Sequence, residues 1–493
     1  MNTSRFAPIY PLMLTDVYKL GHKAVYELAG NTEIVYSNWT NRGSRIPGVE
    51  HVVHFGLQAF LAKLEDWFAP FFAADEDEVA SLYEERLAQI LGPNNIGSDH
   101  IRALHRKGYL PLTFSAVPEG TPVPLRVPSF TFENTDPDFF WLTNYIESVI
   151  SAEVWQPSTS ATIAREFRHI LETGAARTGA PIEAVDWQGH DFSFRGMSSV
   201  DTAAASGAGH LLSFTGTDSL PSLDWIEQYY GGDYIAGSVA ATEHSVMCTG
   251  AAVFGERELF SRLIDLYPTG IFSVVSDTFN LWDVMTEFLP AMKERILARD
   301  GKMVIRPDSG DPADILCGTA SWPTVGANPA ERGVVELLWD TFGGTVNEAG
   351  FKVLDPHVGA IYGDSITRER AQNIIDRLAT KGFASTNVVF GVGSFTYQYN
   401  TRDTFMSAVK ATWALVDGVG YDLQKDPITD SGMKKSARGR LAVFPDENGE
   451  LYLVEQATAE QEAASELQPV WTDGRFIRKQ TFAEVREVLG SSK

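Results

Sequence analysis

The chain has 493 residues, 44% apolar and 21% charged, a globular balance that excludes a disordered or fibrous protein. Its formal charge of −24 sets a diffuse acidic surface against nucleic acid and anionic membranes, so an anionic substrate would need a local basic patch. Cys248 and Cys317 are too few for a secreted disulfide framework, and neither a signal peptide nor a run of roughly 18 apolar residues is read, so the expectation is a cytoplasmic protein of two or three domains without nucleic-acid or membrane partners.

From the N-terminus, Thr15-Asp-Val-Tyr-Lys19 starts a helical stretch with Thr15 or Asp16 as its cap. Ile34 to Thr40 reads as a strand that runs into Asn41-Arg-Gly-Ser-Arg45. Two arginines around a glycine suit a phosphate, although a solvated turn has the same composition. Residues 56–107 carry apolar side chains three or four apart and read as helices, with Asp75 to Glu78 complementing a helix N-terminus. Residues 108–135 alternate and hold several prolines, as edge strands do, and 137–175 return to helix. A domain boundary is expected near 150–180.

Between about 185 and 395 the pattern becomes periodic. The stretch from Val185 to Gly196 reads as a first strand, with Phe192 near Arg195 placed to stack on a flat ring or simply to fill the core. Apolar runs then end in turn on Asp218, His244, Asp277, Asp308 and Asp364, and a last one on Gly391 and Gly393. Their spacing of roughly 30 residues is that of one strand-plus-helix unit. One longer interval holds an insertion from Gly318 to Pro329, rich in Gly, Pro, Ser and Thr. Long amphipathic helices are expected over 245–266 and 278–298, with shorter ones over 331–342 and 367–378. Polar residues that recur at strand ends predict a β/α barrel with its site on one face. After Gly393, Arg402, Lys410, Lys425, Lys434, Lys435, Arg438 and Arg440 concentrate positive charge, and the Gly/Ser loop over 431–440 suits an anion.

Several motifs together resemble one family. TDVYK at 15–19, GHDFSFRGMSS at 189–199, FTGTDS at 214–219, GSVAATEHS at 237–245, SVVSD at 273–277, IRPDSGDP at 305–312, YGDS at 362–365, and TRD and KDP at 401–403 and 425–427 are similar, in the same order, to the nicotinamide phosphoribosyltransferases, within the type II phosphoribosyltransferases. The resemblance implies an α/β fold: a β/α barrel-like phosphoribosyltransferase domain with a flanking α+β domain formed from both chain ends. Residues 1–180 would be the N-terminal part of the α+β domain, 181–395 the barrel carrying the site, and 396–493 a basic, phosphate-facing return to the α+β domain.

The implied reaction moves 5-phosphoribose from phosphoribosyl pyrophosphate to nicotinamide, giving nicotinamide mononucleotide for NAD salvage. It is coupled to ATP, works with Mg²⁺ and takes place in a homodimer with shared sites. Positive charge builds on the sugar as pyrophosphate leaves, so Asp308 and Asp364 are the candidates to face the ribose. Gly363, Gly391, Gly393 and Ser394 would form the ribose-phosphate lip. Arg42, Arg402, Lys410, Lys425 and Lys434 match positions that serve phosphates, largely from the second subunit. Phe192 would stack on the pyridine ring, with Tyr18 of the partner subunit on its other face; Arg306 would line the pocket and Arg195 hold the base or phosphate.

Asp218 would select the amide. A carboxylate accepts a hydrogen bond from NH₂ but opposes the carboxylate of nicotinate by about 4 kcal/mol at 4 Å, roughly a thousandfold. By the same resemblance His244 is the histidine phosphorylated by ATP, oriented by Asp277. Two departures stand out: Ser394 replaces a usual glycine, and an extra residue in the basic loop leaves Lys434 or Lys435 open. No metal ligands are assigned. The alternatives are a nicotinate phosphoribosyltransferase and, more remotely, a metal-dependent barrel hydrolase, which the absence of paired-histidine metal motifs disfavours.

Overall fold

A computed structural model describes residues 4–231, 236–363, 365–427, 429 and 435–491. The chain forms two compact units. One comprises Met1–Thr162, Ile226–Asp233 and Asn400–Lys493; the other Ile163–Trp225 and Tyr234–Tyr399. The first division falls inside the 32-residue helix Glu147–Thr178, so helical periodicity in the sequence runs through it without a break.

The unit built from the chain ends is centred on a seven-stranded antiparallel sheet. Thr32–Asn41 lies between Ser407–Val416 and Pro128–Asn134, so early and late segments share one sheet. Phe60, Phe68, Phe71, Tyr83, Phe114 and Trp471 form much of its core with the helices Leu57–Ala73 and Glu76–Leu91. Asp75 caps the second of these helices, accepting from the Asp77 and Glu78 amides. The first has no side-chain cap of its own, because Gly56 at its N-cap has φ of +99°. Glu119 serves instead. Its buried carboxylate accepts from the Gly56 amide (3.1 Å), the Gln58 amide (2.6 Å) and the Tyr230 hydroxyl (2.6 Å).

The second unit holds seven strands that all pair in parallel: β1 (Gly189–Asp191), β2 (Gly216–Thr217), β3 (Ala240–Ala241), β4 (Phe272–Val275), β5 (Met303–Arg306), β6 (Val358–Tyr362) and β7 (Val388–Val392). They lie in the order β2-β1-β7-β6-β5-β4-β3. A parallel bridge joins Gly216 of β2 to Gly237, three residues before β3, so the two ends of the order come together and the sheet curls into a barrel-like form. Every residue of β4 and β6 is buried, as expected of parallel strands covered on both faces.

Four sequence expectations need adjustment; one is the helix expected over 331–342, which is two, Pro329–Arg332 and Val334–Phe342, parted at Gly333. The stretch 185–196 holds only the short strand β1, between 3₁₀ turns at Ile182–Trp187 and Phe194–Gly196. The helix expected over 245–266 is two, His244–Phe254 and Glu256–Leu266, broken at Gly255, whose φ of +82° no helix accepts. The helix expected over 278–298 passes through a π turn at Val284–Phe288 before Leu289–Leu297; Pro290, which lacks an N–H, sits at the start of that last segment. Among the described residues no helix is long and apolar enough to cross a membrane.

Glu119→Ala removes the carboxylate that accepts from the Gly56 and Gln58 amides, so it should cost about 3 kcal/mol and lower the thermal midpoint. An unchanged midpoint would show that Glu119 does not hold this helix end.

Candidate active site

The polar residues picked from the strand ends do gather. Asp218 follows β2 directly, His244 lies three residues after β3, Asp277 and Asp308 two residues after β4 and β5, and Gly363 and Gly393 directly after β6 and β7. All stand at the C-terminal ends of parallel strands, where loops leave room for a ligand. A cavity of about 470 Å³ opens there, lined by Phe192, Arg195, Asp218, Arg306, Asp308, Gly363, Gly393 and Ser394. Asp364 and Lys434 lie outside the described residues.

Asp277 braces the lip. Its Oδ2 accepts from the backbone amides of Asp308 (2.8 Å) and Ser309 (2.7 Å), which fixes the turn after β5. Its Oδ1 is buried, has no hydrogen-bond partner among the described residues, and stands 3.6 Å from His244 Nε2. His244 opens the helix His244–Phe254 and is about half exposed. Its Nε2 therefore faces the carboxylate.

The place of Phe192 is set by two glycines. A Cβ on Gly391 would lie 2.4 Å from the Phe192 ring and 2.8 Å from Gly363 Cα. One on Gly363 would meet Asp308 Oδ1 at 2.9 Å and the same ring at 3.4 Å. Phe192 thus lies against bare backbone, with the Arg306 guanidinium 6.0 Å from its ring centre. Arg306 also donates to the Thr242 carbonyl. Gly391 was expected to admit a phosphate; in the structure it makes room for the ring. Gly393 has open space around it and precedes the short helix Ser394–Tyr397. Ser394 packs so closely on Gly196 that a Cβ there would meet its Oγ at 1.9 Å, so the residue that departs from the family pattern supports the turn holding Arg195.

Asp218 is tethered through its backbone amide to the Asp191 carbonyl (3.0 Å). Its Oδ1 accepts from His190 Nε2 (3.0 Å) and from the Ser238 hydroxyl. Burial disfavours its charge, but those two hydrogen bonds prevail and hold the carboxyl below its usual range. Sequence reasoning passed over His190 and Ser238. The signal for His190 was its two-residue offset from Phe192, which puts both side chains on one side of an extended segment.

The remaining candidates belong to the unit built from the chain ends. Lys410, on the strand Ser407–Val416, is partly buried; burial lowers its pKa, and Arg42, Lys425 and Arg402 lower it further against the opposing pull of Glu147. These four cations therefore crowd together in an acidic protein. Arg42 Nε donates to the Met406 carbonyl (3.1 Å), and Arg402 pairs with Asp403 at 3.3 Å. Tyr18, which senses the Arg402 charge, is two-thirds exposed.

The sequence profile of the "Nicotinate phosphoribosyltransferase (NAPRTase) family" matches residues 187–475. The chain is 49% identical to a nicotinamide phosphoribosyltransferase of Acinetobacter baylyi, over 98% of this chain and 97% of that protein. It is 34% identical to a nicotinamide phosphoribosyltransferase of Mycoplasma pneumoniae, over 87% and 95%. Among solved structures, nicotinate-nucleotide pyrophosphorylase from Pyrococcus furiosus superposes with a TM-score of 0.59 at 16% identity, over 100% of this chain and 96% of that one. Human nicotinic acid phosphoribosyltransferase does so with a TM-score of 0.54 at 17% identity, over 97% and 93%. The strand-end cavity and the match across almost the full length agree, and the chain belongs to the nicotinate phosphoribosyltransferase (NAPRTase) family.

Proposed function

We propose that the protein is a nicotinamide phosphoribosyltransferase of NAD salvage, joining nicotinamide to the 5-phosphoribose of phosphoribosyl pyrophosphate and releasing pyrophosphate. The observation that carries the choice of base is Asp218, a carboxylate kept charged at the wall of the cavity that also holds Phe192. An amide NH₂ gives it a hydrogen bond; the carboxylate of nicotinate gives it repulsion. Full-length relatives bearing the nicotinamide name support this reading.

The ring stacks on Phe192, and Arg306 donates to the amide carbonyl. The pyridine nitrogen attacks C1 of the ribose as the bond to pyrophosphate breaks, and Asp308 stabilises the positive charge on the sugar. Gly393 and the start of the helix Ser394–Tyr397 receive the 5′-phosphate, beside Arg195. Mg²⁺ would ride on pyrophosphate oxygens and neutralise their charge. No group of three or more metal-binding side chains occurs among the described residues, and magnesium commonly needs only one or two carboxylates beside substrate phosphates. Asp308, on the cavity wall, would be a carboxylate for it there.

We further propose a homodimer in which Arg42, Arg402, Lys410 and Lys425 of one subunit meet the phosphates bound by the other, with Tyr18 of the partner subunit covering the free face of the base. The crowding of these cations around Lys410 supports an anionic ligand. ATP enters through His244: Nδ1 attacks the γ-phosphorus, ADP leaves, and Asp277 holds the proton on Nε2. Two free cysteines, one buried and one exposed, suit a cytoplasmic enzyme.

Asp218→Ser should cut a preference for nicotinamide over nicotinate of about a thousandfold to about tenfold or less, measured as the ratio of kcat/KM values. A wild-type preference for nicotinate would overturn the substrate assignment. Gly391→Ala should displace the Phe192 ring and raise KM for nicotinamide about tenfold or more, in steady-state assays of a variant shown to be folded. His244→Ala should abolish ATP hydrolysis yet leave basal mononucleotide formation; loss of both would show that His244 shapes the substrate pocket as well.

A further inference from the structure

Asp218 is held by more than its own backbone. Two donors from different elements converge on one of its oxygens: His190 Nε2 from β1 at 3.0 Å, and the Ser238 hydroxyl from the segment leading into β3. Among the described residues no hydrogen bond reaches the other oxygen, Oδ2. The imidazole itself has little freedom. A Cβ on Gly216 would lie 2.6 Å from His190 Nδ1, so β2 presents bare backbone to the ring. On its other side the Phe192 ring centre is 4.8 Å away, tilted by 54°. His190 is thus wedged between the strand that carries Asp218 and the ring expected to bear the base, and only about a tenth of its side chain is exposed.

A carboxylate with both oxygens free can rotate about χ2 and can turn either oxygen to a ligand or to water. With Oδ1 occupied twice, rotation is blocked and Oδ2 is the oxygen left for an incoming donor. The two donors also favour the charged form of the carboxyl against the cost of its burial. Charge and orientation are both needed if one carboxylate is to separate an amide from an acid. We propose that His190 and Ser238 are positioning residues for base selection: their shared clamp on Oδ1 of Asp218 presents a fixed, charged Oδ2 to the amide NH₂ of the base. The inference rests on the reading of Asp218 as the residue that selects nicotinamide.

The two can be told apart by experiment. His190→Phe keeps a flat ring and removes the donor; His190→Gln keeps an N–H that reaches Asp218; Ser238→Ala removes the second donor at an exposed position. Removing one hydrogen bond to a charged group should raise KM for nicotinamide about tenfold in His190→Phe and about threefold or more in Ser238→Ala, with kcat changed less than KM. The preference for nicotinamide over nicotinate should fall in parallel, and His190→Gln should restore much of both. A merely structural role would lower stability and kcat without moving the preference. If wild type prefers nicotinamide, Asp218→Ser abolishes that preference, and both His190→Phe and Ser238→Ala keep KM and preference unchanged, the clamp is overturned while the reading of Asp218 stands. If Asp218→Ser itself leaves the preference intact, both fall. Should His190→Phe fail to fold, Ser238→Ala decides, and an unchanged preference there overturns the shared clamp.

Discussion

One buried carboxylate brings the lip of the barrel together. Asp277 lies just after β4, yet its hydrogen bonds go to the amides that follow β5, so two neighbouring strands leave the sheet as one unit. A buried carboxylate is tolerable only where donors compensate its lost hydration, and here the backbone provides them. That compensation is one-sided: Oδ2 is satisfied and Oδ1 is not. The unsatisfied oxygen faces His244 across 3.6 Å, too far for a good hydrogen bond and near enough to form one with a small movement. An imidazole that gains a proton or a phosphoryl group would strengthen that contact. The same side chain can therefore shape the floor of the cavity and answer to the chemical state of His244.

The cavity is equally dependent on backbone that carries no side chain. Gly391 lies in β7 and Gly363 just after the adjacent β6, and their bare Cα atoms form the surface on which Phe192 rests. Neither glycine has a positive φ, so conformational freedom does not account for them; space does. An aromatic ring laid on backbone cannot drift into a neighbouring hollow, and its exposed face points where loops from the other strands converge. Gly216 repeats the device one layer away, with the His190 imidazole in place of the phenyl ring.

Much of this could be read in the residues. The recurrence of Asp218, His244, Asp277 and Asp308 after apolar runs located one face of a barrel, because parallel strands repeat in phase and their C-terminal ends point the same way. Helix boundaries were less legible, since amphipathic periodicity continues across Gly255 and Pro290 even though the hydrogen-bond ladder does not. The role of Gly391 was hidden as well: a glycine after a strand suits a phosphate loop and an aromatic shelf alike, and only the position of Phe192 distinguishes them. His190 was less legible because it sits inside β1 and not at a strand end. Contacts set by register, such as His190 beside Gly216, depend on which strands pair, and local sequence does not state that.

The charge balance carries the argument to substrate choice. The protein bears a formal charge of −24, so its mean field opposes every phosphate it is read to bind. Long-range attraction cannot do the work, since screening removes it beyond about 8–10 Å at physiological ionic strength. Local charges must, and Lys410 shows their cost: it is partly buried, and that burial together with Arg42, Lys425 and Arg402 favours losing its proton, against the pull of Glu147. A phosphate bound there, as proposed, would offset that repulsion and favour the charged lysine. Asp218 works by the opposite logic. Its charge is stabilised before any ligand arrives, by His190 and Ser238, and needs no anion or cation to complete it. A neutral amide leaves this balance intact, whereas a second carboxylate would have to overcome it at contact distance, where screening by salt is weakest. On the proposed reading, selection between two bases of almost identical shape would be electrostatic, and it would require the selecting group to be both ionised and unable to turn away.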